Sequence, residues 1–531
     1  MLRLSSAAQL VLEKRYLLKN AVGQIIETPE QLFERVAKTA SLGNQSLLTR
    51  FEEALQSLEF LPNSPTLMNA GTDLGQLSAC FVLPVEDSLS SIFEALKNMA
   101  LIQQSGGGTG FSFSHLRPKG DVVRTTHGVA SGPVSFISIF NSATDVIKQG
   151  GRRRGANMGI LAVDHPDILE FIRAKEKGGE LANFNISVSV DDKFMEAVQK
   201  NQFYELVHPR TRSATSKLKA RKVFDLICQT AWRCGDPGII FIDEINRKNP
   251  LLQIGRIEAT NPCGEQPLLP YESCNLGSLN LSRMLNHQGV DWEKLRDRVR
   301  LAVEFLDNVI EVNHYPSPEV EKMTKANRKI GLGVMGFAEM LIKLGIRYDS
   351  EPALSLGEKI MQFISSEARQ RSAELGETNG SFSNFAGSQR ERMGMRALRN
   401  ATVTTIAPTG SISLIADCTS GIEPLFALTY TKKVLGGATL TKKFKKDPAV
   451  VTALNIAPEW HVRMQAAFQK YTDNAVSKTV NLPKSATVAD VKKIFLLAYE
   501  LKCKGITIYR YGSKIEQVLY LEDSGEQCCT L

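Results

Sequence analysis

Two cysteines eleven residues apart hold the most pointed chemistry in this chain of 531 residues. Cys263 lies in Asn261-Pro262-Cys263-Gly264-Glu265, and Cys274 in Glu272-Ser273-Cys274-Asn275-Leu276-Gly277-Ser278-Leu279-Asn280. Pro262 and Gly264 force a tight, non-helical turn around the first thiol. Glu265, two residues on, opposes ionisation of that thiol by like-charge repulsion, and no cation or histidine beside it in sequence offsets this. Sulfur chemistry that works from the neutral thiol is therefore expected, with hydrogen-atom transfer the obvious candidate.

Other segments could bind what the sulfur acts on. Gly106-Gly107-Gly108-Thr109-Gly110 is the densest glycine cluster. It could bring backbone amides against a phosphate or a flat ligand, or simply turn tightly between helix and strand. It lacks the Gly-Lys-Ser/Thr ending of an NTPase phosphate loop. Pro408-Thr409-Gly410-Ser411-Ile412-Ser413 follows a strand-like run and offers amides and hydroxyls to an anion; the plainer reading is a serine N-cap. Gly150-Gly151-Arg152-Arg153-Arg154-Gly155 sets three guanidinium forks in a glycine-flanked loop, which suits phosphate or base recognition. Cys80, in Leu77-Ser78-Ala79-Cys80, enters a buried strand and by itself reads as a packed apolar thiol. The 7 histidines show no metal-ligand spacing and the 9 cysteines no C-x-x-C, so neither a zinc ribbon nor a metal held by protein alone is expected.

The elements that position these residues follow from periodicity. The first 75 residues read as helices, with a capping box at Thr28-Pro29-Glu30-Gln31 ahead of Leu32, Phe33 and Val36. From Ser78 onward short apolar strands alternate with amphipathic helices. Strands are expected at 80–83, 156–163, 185–190, 239–242, 402–406 and 506–509, and helices at 88–103 and 132–148. The alternation runs for over 400 residues without a linker or repeat. A closed α/β barrel of large circumference fits it better than two Rossmann sheets, because no G-x-G-x-x-G follows a strand with an acid further on. The expected division is a helical domain over 1–75, a barrel over 76–515, and a mobile polar tail over 516–531.

With 43% apolar and 23% charged residues, the composition is that of a soluble globular protein of two to four domains. A net charge of +8 suits anionic small molecules and falls short of a nucleic-acid footprint. The basic stretches 442–446 and 210–222 read as solvated loops. No run of eighteen apolar residues occurs, so a cytoplasmic protein is expected, with no membrane and no nucleic-acid partner, its cysteines reduced or redox-active.

From Leu10 to about Ser513 these blocks resemble ribonucleotide reductase large subunits. N-P-C-G-E and P-T-G-S-I, in that order with Cys80 and Cys274, carry the resemblance. It implies a ten-stranded α/β barrel, two antiparallel-packed halves of five parallel strands with a central finger loop, after a small helical domain. It places Cys263 at the finger tip as the thiyl radical that removes the ribose 3′-hydrogen. It makes Glu265 the base for the 3′-hydroxyl and Asn261 the orienting amide. Cys80 and Cys274 become the dithiol that protonates the departing 2′-hydroxyl and ends as a disulfide. The residues agree: losing water from an unactivated carbon needs a radical, a base, an acid and two electrons. A loop inside a barrel would also shield the radical from solvent.

The implied substrate contacts are Ser64, Ala79, Cys80, Gly108 and the finger residues Asn261, Pro262, Cys263, Gly264 and Glu265. The diphosphate would rest on Pro408, Thr409, Gly410, Ser411 and Ile412. A second nucleotide site for dNTP or ATP is implied at a homodimer interface, at Asp87, Ser88, Leu89, Arg117 and Arg124. Arg153 and its neighbours would couple that effector to the substrate site.

The radical source is partly legible. Oxygen-dependent reductases relay it through two adjacent tyrosines, whereas Lys504-Gly505-Ile506-Thr507-Ile508-Tyr509-Arg510-Tyr511-Gly512 has no such pair. Arg510-Tyr511-Gly512-Ser513 is only superficially similar to the anaerobic glycyl-radical motif. The stretch most resembles the adenosylcobalamin-dependent class (class II, dimeric type), whose implied cofactor is adenosylcobalamin and whose substrates are ribonucleoside diphosphates. Cobalamin mutases carry Asp-x-His-x-x-Gly; its absence here bears on neither side. The start at the pre-barrel helices argues against an ATP/dATP on/off module. Cys528 and Cys529 stand where relatives often carry a C-x-x-C tail; adjacent α-carbons about 3.8 Å apart would make their bridge strained and reducible. Such a tail could pass electrons from thioredoxin or a similar reductant to Cys80 and Cys274. The alternatives are an oxygen-dependent large subunit needing a metallo-subunit, and an inactive nucleotide-binding regulator.

Overall fold

The structure, a computed structural model, describes residues 2–122, 127–147, 155–433, 439–443, 447–513 and 519–521. Helix α1 (Ser6–Arg15) precedes α2 (Pro29–Ala40), which begins where the sequence supplies a cap. Thr28 and Gln31 satisfy each other's backbone N–H groups, an arrangement that stabilises a helix by about 1 kcal/mol. Leu32, Phe33 and Val36 follow on the face that is fully buried. The N-terminal 75 residues are not all helix. Phe60–Pro62 forms a short strand, because its apolar side chains are buried against a barrel strand with which it pairs antiparallel, Phe60 opposite Leu279.

Nine barrel strands follow: β1 (Cys80–Val82), β2 (Gly108–Ser112), β3 (Asn157–Ala162), β4 (Phe184–Val190), β5 (Gly238–Phe241), β6 (Ser273–Asn280), β7 (Ile330–Met335), β8 (Thr479–Leu482) and β9 (Gly505–Arg510). β1 to β5 pair side by side and all parallel. β6 pairs parallel with β7, and β8 with β9. The expected strand at 402–406 exists only as single parallel bridges, Leu332 to Thr404 and Ile406 to Val476 just ahead of β8. Those bridges complete the second half. The two halves then meet antiparallel at β1/β6 and at β5/β9, so the ring closes through ten strand positions.

Buried clusters explain why the ring is stable. The first half packs Phe81, Phe111, Phe184 and Val188 against its outer helices, among them α3 (Leu89–Gln104) and α4 (Pro133–Ile147). The second half shares one cluster with the N-terminal helices, joining Leu12, Phe33 and Phe51 to Leu279, Phe305 and Val334. A third cluster, with Cys80, Met158, Ile160, Ile240, Leu268 and Cys274, fills the interior. Each fully buried large apolar side chain contributes about 1.5–3 kcal/mol.

Two basic stretches differ from expectation. Residues 210–222 cover the second strand of an exposed hairpin, Phe203–Val207 with Ala214–Lys219, and the start of the helix Ala220–Cys234. Lys442 and Lys443 lie in the strand Thr439–Lys443, which pairs with Thr429–Lys433; a chain that alternates Thr, Leu and Lys suits an edge strand as well as a loop. Leu519–Leu521, inside the segment expected to be a polar tail, adds a third strand to that small sheet, pairing its own backbone groups with Thr429–Lys433.

Candidate active site

Cys263 is carried on a hairpin. Ala259–Thr260 pairs antiparallel with Pro267–Leu268, and residues 261–266 form the turn between them. Gly264 takes a φ of 80°, which a side chain would resist, and its N–H donates to the Asn261 carbonyl at 3.0 Å. The Asn261 side-chain oxygen accepts the Gln266 N–H at 2.9 Å. The hairpin crosses the barrel interior and is held by both halves. On one side Asn185 Nδ2 donates to the Pro262 carbonyl at 2.8 Å. On the other, the Glu265 carbonyl accepts from Ala475 N at 2.9 Å and Thr405 Oγ1 at 2.8 Å.

The glycine cluster serves this crossing. A Cβ on Gly110 would sit 1.7 Å from the Thr260 carbonyl oxygen, and one on Gly108 would meet the Pro262 ring at 2.9 Å. The Gly108 amide is already donated to the Ala79 carbonyl at 2.8 Å. Close approach of the finger hairpin therefore explains these glycines better than a phosphate cradle does.

Cys80 and Cys274 face each other across the β1/β6 seam as direct partners. Antiparallel partners have α-carbons about 4.5–5.5 Å apart and side chains on one face, inside the span a disulfide needs. Neither is in a disulfide, and both are buried. Asn261 Nδ2 donates to Cys80 Sγ at 3.1 Å, and Glu265 Oε1 lies 4.0 Å from the same sulfur. Complete burial pushes the Cys274 thiol well above its ordinary range; nearby Lys329 works against this, while Glu272 and Glu265 add to it. Its S–H points to the Lys329 carbonyl at 3.4 Å. Beneath it a buried ion pair, Lys329 with Glu272 at 2.6 Å, is braced by Asn327 Nδ2 on the other carboxylate oxygen. Four of the five expected catalytic residues, Asn261, Glu265, Cys80 and Cys274, are thus drawn together in one buried cluster.

Cys263 differs. Its side chain is exposed, open to a cavity of about 470 Å3 bounded by Met158, Ile240, Phe426, Gln465, Ile506 and Tyr509. The expectation that a loop inside the barrel shields this sulfur from solvent is corrected: Cys263 is exposed, and its cavity is bordered by Ile239, Ile240, Gly505 and Ile506 of the second seam. Pro408 also borders this cavity.

At the turn expected to hold the diphosphate, Thr409 has a φ of 50° and its hydroxyl accepts the Gly421 N–H at 2.7 Å. Ser411 precedes a short helix, Ile412–Ile415, without capping it; its hydroxyl instead accepts from Arg15 Nη1. Ser64 Oγ is hydrogen-bonded to Tyr16 Oη at 2.8 Å. Arg15 and Tyr16 were invisible to motif reading, since neither belongs to a block with spacing of its own.

Two of the expected effector residues, Asp87 and Arg117, line a polar cavity of about 630 Å3 at the carboxyl ends of β1 to β5. Asp87 there is engaged by Arg117, Nε to carboxylate at 2.9 Å, and Ser88 caps α3 by accepting from Ser91 N. Leu89 is exposed. Arg124, Arg153, Cys528 and Cys529 lie outside the described residues.

A two-half ring around a cysteine-tipped hairpin, with a dithiol in one seam, is an arrangement of known type. Residues 2–75 match the all-alpha domain of ribonucleotide reductase, and residues 78–450 and 445–509 its barrel domain, so the chain belongs to the ribonucleotide reductase family. The chain is 48% identical to the vitamin B12-dependent ribonucleoside-diphosphate reductase of Thermoplasma acidophilum, over 98% of its own length and 80% of the relative's. The protein of that name from Mycobacterium tuberculosis is 50% identical over 98% of this chain and 81% of its own length. The ribonucleoside-diphosphate reductase large subunit of vaccinia virus is 29% identical over 93% and 70%.

Proposed function

We propose that this chain reduces ribonucleoside diphosphates to 2′-deoxyribonucleotides by a thiyl-radical mechanism dependent on adenosylcobalamin. The observation that carries the reading is the Cys80–Cys274 cross-strand pair, with Asn261 and Glu265 at the Cys80 sulfur, under a hairpin tipped by Cys263. Cys263 would take the 3′-hydrogen of the ribose and return it at the end. Glu265 accepts the 3′-hydroxyl proton, which helps the 2′-hydroxyl leave as water. A thiol of the pair supplies that water's proton; Cys274, held protonated by burial, keeps such a proton available across the neutral range. The two sulfurs then join, and the electrons released reduce the sugar.

The identity of 48% and 50% to the B12-dependent relatives from Thermoplasma acidophilum and Mycobacterium tuberculosis, against 29% to the vaccinia large subunit, favours cobalamin over a separate metallo-subunit. The residues lining the cavity at Cys263 suit one side of such a group: Ile240, Ile506, Phe426 and Met158 would offer apolar walls and Gln465 an amide. When bound, adenosylcobalamin would supply a carbon radical by homolysis of its cobalt–carbon bond.

The remaining parts of the reading concern partners. α3 exposes Leu89 and Phe93 one turn apart, and α4, packed beside it, exposes Ile139 and Val146 two turns apart. Exposed apolar pairs on neighbouring helices suit docking of a second copy, with an effector dNTP or ATP at Asp87, Ser88, Leu89 and Arg117 near its edge. Thioredoxin or a similar dithiol would reduce the disulfide, through Cys528 and Cys529 if the tail takes part. Replacing both tail cysteines by serine should then stop repeated turnover with thioredoxin and leave a single turnover intact; unchanged steady-state turnover removes the tail's role.

The central test is anaerobic mixing of the protein with adenosylcobalamin, CDP, effector and dithiol. A cob(II)alamin signal by electron-spin resonance and formation of dCDP are expected, and Cys263→Ser should abolish both. Full dCDP formation by Cys263→Ser would refute the thiyl role of Cys263, and a wild-type protein that forms neither signal would leave the nucleotide-binding regulator as the better reading.

A further inference from the structure

We propose that Arg15, on the N-terminal helical segment, is the cation that binds the substrate's terminal phosphate and so selects for the diphosphate group. The inference rests on the reading above and adds a residue to it. α1 packs its buried Ala8, Val11 and Leu12 inward and ends at Arg15, with buried Tyr16 as its C-cap. From that end, two consecutive side chains reach two of the hydroxyls expected to meet the phosphates: Arg15 Nη1 donates to Ser411 Oγ, and Tyr16 Oη meets Ser64 Oγ at 2.8 Å. The first of these contacts joins residues 396 positions apart.

Charge makes the placement informative. Neither Pro408–Ser413 nor Asn63–Thr66 contains an ionised side chain. Neutral hydroxyls and amides can saturate the hydrogen bonds of a diphosphate, but they leave its negative charge uncompensated. A guanidinium is the group whose fork geometry and weak hydration fit that duty. Gly410, at the apex of the turn, is exposed, and a Cβ there would meet nothing within 4 Å. The plainer role for Arg15 is a cation complementing the C-terminal end of α1. Exposed Lys14 fills that role already, and it requires no contact with Ser411.

Steady-state kinetics on the full chain with adenosylcobalamin and CDP test the assignment, with pyrophosphate as competitor. Arg15→Gln keeps a donor for Ser411 and removes the charge. It should raise KM for CDP by about 10- to 100-fold, the loss of one charge-assisted hydrogen bond, with kcat at saturation largely kept. The inhibition constant of pyrophosphate should rise by the same factor, and Arg15→Lys should recover part of both. An unchanged KM and unchanged pyrophosphate inhibition in Arg15→Gln, or a fall in kcat with KM unaltered, overturns the proposal. A wild-type protein that reduces no diphosphate sinks the underlying reading instead; pyrophosphate titration by calorimetry, wild type against Arg15→Gln and Arg15→Lys, then still decides Arg15.

Discussion

The two antiparallel seams of the barrel are built alike and filled differently. At one, Cys80 faces Cys274 and Phe81 faces Ser273; at the other, Ile240 faces Gly505 and Ile239 faces Ile506. The first seam is buried beneath the finger hairpin and holds thiols, a carboxylate and an amide in one cluster. The second borders the cavity onto which Cys263 opens. Closing a ring of two parallel halves requires both junctions, so geometry alone does not make a seam reactive. What distinguishes them is the side chains brought across: sulfur beside a carboxylate at one, branched apolar chains and glycine at the other.

Breaking each seam by the smallest change should separate chemistry from structure. Cys274→Ser preserves size and burial but removes one redox-active sulfur. Sustained turnover should fall by about a thousandfold or more while the thermal transition stays near that of the parent. Ile239→Val at the other seam should cost about 0.5–1.5 kcal/mol of stability and leave kcat per folded molecule unchanged. Comparable turnover in the two variants would mean that the seams are functionally equivalent.

A less drastic effect is expected where the hairpin passes the first half. Gly110→Ala puts a methyl carbon 1.7 Å from the Thr260 carbonyl oxygen, backbone against backbone, so the hairpin must shift. Displacing the reacting sulfur by about 1 Å is the kind of change that lowers kcat roughly 100-fold. The accompanying strain should cost about 1–3 kcal/mol. A variant with parental kcat would show that the hairpin is not positioned by this contact, and that only the seams matter.

Legibility in sequence follows the same divide. N-P-C-G-E and the two further cysteines were readable because their chemistry demands particular residue types close together. The helix cap at Thr28 and most strands were readable because their periodicity is local. What could not be read depends on distant partners. The closure at 402–406 rests on isolated bridges, which apolar patterning does not distinguish from a full strand. The glycines at 108 and 110 looked like a ligand loop because the hairpin that lies over them comes some 150 residues later. Exposure of Cys263 depends on the spacing of strands in the finished ring, and Arg15 meets Ser411 only once the N-terminal helices have packed on the second half.

The smallest effect expected concerns the buried lysine beside each seam. At the reactive seam Lys329 is paired with the Glu272 carboxylate at 2.6 Å. At the other, Lys504 precedes β9 and donates instead to the backbone carbonyls of Asp473 and Asn474, at 2.6 and 2.7 Å. The Asp473 carboxylate nearby is engaged by Arg369 and Arg390. Burial therefore dominates at Lys504 and lowers its pKa to about 7 from 10.5, with Asp473 and Glu244 opposing the shift. A neutral amine can still donate to both carbonyls. Between pH 7 and 10.5 the unfolded chain thus carries a proton that the folded chain has released, so this residue's contribution to stability improves as pH rises through that window and is poorest, and flat, below it. Relative to Lys504→Met, the parent should gain on the order of 1–2 kcal/mol between pH 7 and pH 9. Denaturation midpoints of the two proteins at pH 6, 7.5 and 9 measure this. A difference independent of pH would mean that Lys504 stays charged throughout, so that carbonyl oxygens at the quiet seam stabilise a buried cation as well as the Glu272 carboxylate does at the reactive one.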